Sequence, residues 1–140
     1  MNTDRFLYKG MTVNGEWVYG YLSVVTKEQK AKVEPGFYIS NKMGMPFAYD
    51  VRPETVGQCT GVKDKNGKLI YEGDIVVGSW NTKLLVLWDD ISVSFTVKPL
   101  SGGGERELHF FSNSRYLDDG TISYKDFEII GNIHEMEKNK

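Results

Sequence analysis

Glu72 with Asp74, and Asp89 with Asp90, are the side chains whose type and spacing suit acid–base chemistry or a Mg²⁺ ion. Residues two apart in a strand share a face, so Glu72 and Asp74 would converge, whereas Asp89 and Asp90 would diverge. Acidic pairs at turns are usually solvated and perturbed sites are the exception. A metal-assisted enzyme built on Glu72 and Asp74 therefore ranks last among the readings considered. Cys59 would need a His partner close in space to act as a nucleophile, and a small buried thiol is the simpler reading. His109 and His134 are the only histidines, and neither has another His or Cys at ligand spacing, which argues against a transition-metal site.

Three further stretches imitate ligand loops and fail on spacing. Asp119-Gly120-Thr121-Ile122-Ser123-Tyr124-Lys125-Asp126 resembles the second half of a calcium loop. With Gly120 at the sixth position, the first and third ligand positions fall on Arg115 and Leu117, and the twelfth on the short Asp126. Asp64-Lys65-Asn66-Gly67 brings its glycine two positions too early and reads as a turn. Gly102-Gly103-Gly104 lacks the Lys-Ser/Thr and the following helix of a phosphate-binding loop, so it reads as a connector. No catalytic residue, metal ligand or cofactor is assigned.

Binding chemistry fares better. Trp17 and Trp88 lie in apolar strand patterns and are expected in the core, whereas Trp80, between Ser79 and Asn81 beside a turn, is the exposed aromatic candidate. Lys83, with Lys63, Lys65 and Lys68 on a neighbouring hairpin, would supply a local basic edge. The candidate binding residues are Trp80, Lys63, Lys65, Lys68, Tyr71, Glu72 and Asp74. The net charge of −2 disfavours non-specific nucleic-acid or acidic-membrane binding, so a nucleic-acid-binding barrel stands as the alternative to a protein-binding module. A single cysteine gives no sign of an oxidising compartment, and neither a secretory leader nor an apolar run of spanning length is visible. A soluble intracellular protein is expected.

The elements that must position these residues read as β-strands. Eight Tyr, seven Phe and three Trp suit pleated surfaces, and fifteen Gly suit the turns between them. Asn14-Gly15 predicts a hairpin with a two-residue loop, pairing Thr12 with Trp17, Gly10 with Tyr19 and Tyr8 with Tyr21, and covered on both faces. In that register Tyr19 would shield the bare backbone at Gly10. Residues 26–34 read as a charged loop or one helical turn, residues 37–39 and 47–51 as short strands, and Pro53 as an extended approach to residues 54–56.

At Asp64–Lys68 a two-residue loop would oppose Lys65 and Lys68. A three-residue loop with Gly67 at positive φ instead pairs Asp64 with Lys68, an exchange of repulsion for attraction of about 0.2–1 kcal/mol. Strands follow at residues 75–77, 84–88, 93–97 and 127–133, with turns at Asn81-Thr82 and Asp89-Asp90. Residues 101–121 are the least regular stretch, within which residues 109–111 read as a short strand or an anchoring turn, and a fraying polar tail closes the chain.

Two long stretches carry a family likeness. Pro53-Glu54-Thr55-Val56-Gly57-Gln58, Thr60-Gly61, Asp64, Asn66-Gly67 and Ile70-Tyr71-Glu72-Gly73-Asp74-Ile75-Val76, together with Ile130-Gly131-Asn132-Ile133-His134-Glu135, resemble the YopX family of phage and prophage proteins. Gly15-Glu16-Trp17-Val18-Tyr19-Gly20 resembles the family's opening segment. The resemblance implies a compact β-rich domain from a mobile element, without an established activity, in the cytoplasm of a bacterial host. Cys59 departs from the family pattern, standing where an aromatic residue is usual, so the resemblance lends no support to a catalytic thiol.

Gly73-Asp74-Ile75-Val76 also resembles the lead-in to the first strand of SH3-like barrels, where Gly permits the bend and Asp caps nearby amides. The expected fold is all-β, an SH3-like partly open barrel over residues 57–140 with an N-terminal hairpin and strands over residues 1–56, together one compact unit. The expected function is that of a non-catalytic accessory protein binding a phage or host protein. Exposed strand edges add a second copy of the chain as a further expected partner.

Overall fold

The computed structural model describes residues 3–27, 33–40, 48–78, 81–100, 108–109, 114–116, 122–124 and 127–138. The fold is all-β. The described residues include thirteen strands, two short 3₁₀ segments and one six-residue helix. The chain divides into two compact units, Thr3–Cys59 and the remainder, Met1–Asn2 with Thr60–Lys140.

In the first unit, β1 (Tyr8–Met11), β2 (Trp17–Val25), β3 (Gly36–Ser40) and β4 (Tyr49–Val51) pair antiparallel in sequence order, and the start of β5 (Gly57–Lys63) adds to the free edge of β1. The Asn14-Gly15 hairpin forms, but its register is one residue from the expected one. Thr12 N–H bonds Glu16 C=O at 2.9 Å, Gly15 N–H bonds Thr12 C=O at 2.9 Å, and Gly15 has φ +84°, which makes a three-residue loop. Met11 therefore faces Trp17, Gly10 faces Val18, Lys9 faces Tyr19 and Tyr8 faces Gly20.

A one-residue slip moves every side chain of a strand to the other face. Val51, and not Tyr19, covers Gly10: a Cβ on Gly10 would stand 3.0 Å from the Val51 side chain, a tight approach that would require Val51 to shift by a few tenths of an ångström. Tyr19 and Tyr21 are left exposed, so the hairpin is not covered on both sides. Pro53 does not lead an extended segment either. Pro53–Thr55 is a 3₁₀ turn with Pro in its first turn, where the missing N–H costs no hydrogen bond. It closes on β1: Thr55 Oγ1 accepts the Met11 N–H at 2.8 Å, and Arg52 N–H donates to Met11 C=O at 2.9 Å.

In the second unit, the end of β5 pairs with β6 (Leu69–Tyr71) through the expected three-residue loop. Asp64 N–H bonds Lys68 C=O at 2.8 Å and Gly67 has φ +81°. After a turn at Glu72-Gly73 come β7 (Asp74–Val77), β8 (Lys83–Asp89), β9 (Ser94–Pro99), β10 (Leu108–His109), β11 (Ser114–Tyr116), β12 (Ile122–Tyr124) and β13 (Glu128–Asn132). A five-stranded antiparallel sheet runs β10-β9-β8-β7-β13. The strands expected from residue 75 onward are thus neighbours in one sheet, and no closed barrel forms among the described residues. The core of this unit is Val62, Ile70, Val76, Leu84, Val86, Val97 and Phe127, with Ile129 against it.

Two features lie beyond local pattern. β12 pairs parallel with β5, Ile122 opposite Val62, a contact across some sixty residues that no local pattern announces. The polar tail begins as a helix, α1 (Ile133–Lys138), because Asn132 caps it: the Asn132 side-chain oxygen accepts the His134 N–H at 3.0 Å. No helix among the described residues is long and apolar enough to cross a membrane.

Candidate functional site

Asp64 and Asp74 are both about 1% exposed, and burying a carboxylate requires that its oxygens be matched by donors. Asp64 opens the β5–β6 turn. Its Oδ1 accepts the N–H groups of Asn66 and Lys68, each at 2.9 Å, which shapes the loop, and its Oδ2 accepts the Ile129 N–H of β13 at 3.0 Å. Lys65 N–H donates to Phe127 C=O at 2.8 Å on the same side. Above this junction the Lys65 ammonium lies 3.4 Å from Glu128, a half-exposed pair that contributes at most about 1 kcal/mol.

Asp74 makes a second junction one turn further along the chain. Its Oδ2 accepts the Tyr71 N–H at 2.8 Å and its Oδ1 accepts the Asn132 side-chain amide at 3.1 Å. Gly73, at φ +94°, donates its N–H to Val86 C=O at 2.8 Å and accepts the Ile133 N–H at 2.9 Å. A Cβ on Gly73 would stand 3.2 Å from the Asn132 amide nitrogen, so backbone conformation and close approach both favour glycine there. Asn132 bridges the arrangement, donating to Asp74 and capping α1. Chemically, these carboxylates hold main-chain and amide N–H groups and fasten β13 to the β5–β7 stretch.

The candidate residues separate under this geometry. Tyr71 and Asp74 are buried, which removes them from any contact surface. Glu72 is half-buried in the turn before β7, so it and Asp74 do not stand side by side on one strand face. Lys65 and Lys68 are exposed on the β5–β6 loop and Lys63 is half-buried opposite Ser123. Trp80 lies outside the described residues, as do residues 101–107 and 117–121. Cys59 is buried. Among the described residues, no group of three or more His, Cys, Asp or Glu side chains is placed to hold a metal ion.

The exposed surface carries apolar side chains that strand patterning does not announce. The β8–β9 turn carries Ile91 at 94% exposure and Val93 at 69%, and Trp88, expected in the core, is 38% exposed. Polar side chains organise the turn. Asp89 Oδ1 accepts the Ile91 N–H at 3.0 Å, Asp89 Oδ2 accepts the Ser92 hydroxyl at 2.8 Å, and Trp88 Nε1–H donates to Asp90 at 2.9 Å. The Trp88 ring stands edge-to-face on Phe95, with centroids 5.0 Å apart. Val93 has φ +53°, a conformation that costs a β-branched residue about 1–3 kcal/mol. The one available signal was local: Asp-Asp-Ile-Ser-Val places two branched apolar residues in a turn, where Gly or Asn is usual.

The two junctions join the same stretches of sequence that carry the family likeness. A family model described as YopX protein matches residues 11–138. The chain belongs to the YopX family. The comparison with curated proteins returned no significant match. Within the YopX match, Asp64, Gly73, Asp74 and Asn132 form the two junctions, so these motif residues have an architectural role in this chain.

Proposed function

We propose that this YopX-family chain is a non-catalytic accessory protein of a phage or prophage, working in the cytoplasm of a bacterial host by binding another protein. The observation that carries the reading is a division between its polar and apolar groups. The buried motif carboxylates Asp64 and Asp74 are engaged by N–H donors of the fold, while branched apolar side chains stand exposed at turn tips, Val13 at 77% and Ile91 at 94%. Engaged carboxylates support the non-catalytic half of the reading, because a general base must reach a substrate proton. Exposed branched residues at ordered turns support the binding half, because contact of such groups with a partner removes apolar surface from water.

The test is affinity capture with the tagged full chain from host cells in which the phage is induced, alongside a broad hydrolase substrate panel. A discrete protein recovered at near-equal stoichiometry, insensitive to nuclease, with no turnover, is the expected result. Turnover that survives repurification, or capture abolished by nuclease, would overturn the reading.

A further inference from the structure

We infer that Asn14-Gly15 is a site of spontaneous covalent modification, at which the folded chain converts its own asparagine into aspartate and isoaspartate, while the chemically equivalent Asn66-Gly67 is protected by the fold. The inference stands apart from the protein-binding reading. In the reaction the Gly15 main-chain nitrogen attacks the Asn14 side-chain carbonyl carbon. The new N–Cγ bond closes a five-membered imide, the Cγ–Nδ2 bond breaks, and the displaced N–H proton leaves with Nδ2 as ammonia. Water then opens the imide at either carbonyl, and nothing is oxidised or reduced. Glycine favours the attack because no side chain stands beside its nitrogen.

The sequence holds two Asn-Gly pairs, and their local surroundings are alike. Asn14 and Asn66 are both exposed. Gly15 and Gly67 have φ of +84° and +81°, and their N–H groups are held by Thr12 C=O at 2.9 Å and Asp64 C=O at 3.0 Å. Before it can attack, the glycine nitrogen must leave that hydrogen bond and the loop must deform. The two sites therefore differ in whatever resists deformation, and neither exposure nor turn form decides between them.

At Asn66 the resistance is buried and charged. Asp64 accepts the Asn66 N–H itself and the Lys68 N–H, each at 2.9 Å, and the Ile129 N–H of β13 at 3.0 Å. Lys65 N–H donates to Phe127 C=O at 2.8 Å, and the Asn66 amide lies 3.5 Å from the Glu128 carboxylate. At Asn14 the resistance is exposed: the Thr12 hydroxyl accepts the Glu16 N–H at 3.3 Å, and the Arg52 guanidinium donates to Val13 C=O at 2.8 Å. Hydrogen bonds to a buried carboxylate hold more strongly than such solvated ones, so opening of the Asn14 loop is the less costly local fluctuation. Hydrolysis places a new carboxylate next to Val13, which is 77% exposed. The isoaspartate product also adds one carbon to the main chain inside the three-residue closure of Thr12 on Glu16, so the turn tip changes in charge and in form.

The test incubates the purified full chain in mildly alkaline buffer, with and without denaturing urea, and follows both sites by peptide mapping with mass spectrometry and isoaspartate-specific methyl transfer. In the folded chain, conversion at position 14 is expected to outpace that at position 66 by about tenfold or more. In urea the advantage should vanish, because the stiff, branched Val13 precedes Asn14 and the unbranched Lys65 precedes Asn66, so sequence context gives position 14 no lead. Asp64→Ala is expected to speed conversion at position 66 about tenfold and to leave position 14 unchanged. Should Asp64→Ala fail to fold, Asp64→Asn, which can keep its contacts to Asn66 and Lys68, gives the same direction at smaller amplitude.

Equal rates at the two sites of the folded chain, a faster rate at position 66, or no conversion at position 14 overturns the inference. A tenfold lead of position 14 that persists in urea overturns its structural cause and assigns the difference to neighbouring residues. An unchanged rate at position 66 in a folded Asp64 variant overturns protection by the buried carboxylate.

Discussion

At Thr12–Glu16 and at Asp64–Lys68 the chain makes the same three-residue reversal, ending on a glycine with φ of +84° in one and +81° in the other. Each first residue accepts the glycine N–H on its carbonyl, at 2.9 and 3.0 Å. The two turns part company in how they are tied to the rest of their unit. The Thr12 hydroxyl accepts only the Glu16 N–H, at 3.3 Å, and the long-range tie is an exposed one, from the Arg52 guanidinium to Val13 C=O at 2.8 Å. Asp64 is buried and holds the amides of Asn66, Lys68 and Ile129 with a single carboxylate. One turn only reverses the chain, whereas the other reverses it and fastens the strand that returns some sixty residues later. Backbone form is thus set by a local rule, and consequence is set by burial and charge.

The largest test of this contrast removes the carboxylate. Asp64→Ala strands amide donors at a buried site, so it is expected to destabilise the unit by about 3 kcal/mol in urea unfolding. A loss below that of Arg52→Ala would erase the distinction between the turns.

Asp64→Asn sharpens it. Its oxygen can still accept from Asn66 and Lys68, while its NH₂ opposes the Ile129 N–H, and about 2 kcal/mol is the expected cost. Hydrogen exchange at the Ile129 amide should accelerate more than at Lys68, and equal acceleration would mean that the tie to β13 has no separate weight. Gly15→Ala and Gly67→Ala form the control in which the turns should agree. Each places an L-residue at positive φ, and about 1 kcal/mol from each is expected by thermal unfolding. The smallest effect belongs to Arg52→Ala, which breaks an exposed hydrogen bond and should cost about 0.5 kcal/mol by the same urea measurement.

The same pair of turns shows how far residue patterns reach. At Asp64–Lys68 the charges of Lys65 and Lys68 were enough to select the loop, because the repulsion lies within the turn. At Thr12–Glu16 no neighbouring charges discriminate, and the two-residue loop suggested by Asn14-Gly15 is one residue out of register. The observed register sets Gly10 against Val51, 41 residues away, a packing partner that local pattern cannot supply. Strand alternation pairs Glu72 with Asp74, but the turn at Glu72-Gly73 interrupts that alternation. Ile91 and Val93 were legible as residue types but not as exposed ones.

What this sequence determined by itself was what short-range chemistry decides: an all-β chain, the sites of its reversals, the main strands of its five-stranded sheet and its family, carried by stretches that each lie within some twenty residues. Tertiary structure alone decided where those stretches meet. The Asp64–Ile129 and Asp74–Asn132 contacts span gaps of 65 and 58 residues, and the parallel pairing of β12 with β5 spans a similar gap. Whether an aspartate faces water or a backbone amide depends on what packs over it. That is a property of the folded core, which spacing along the chain does not encode.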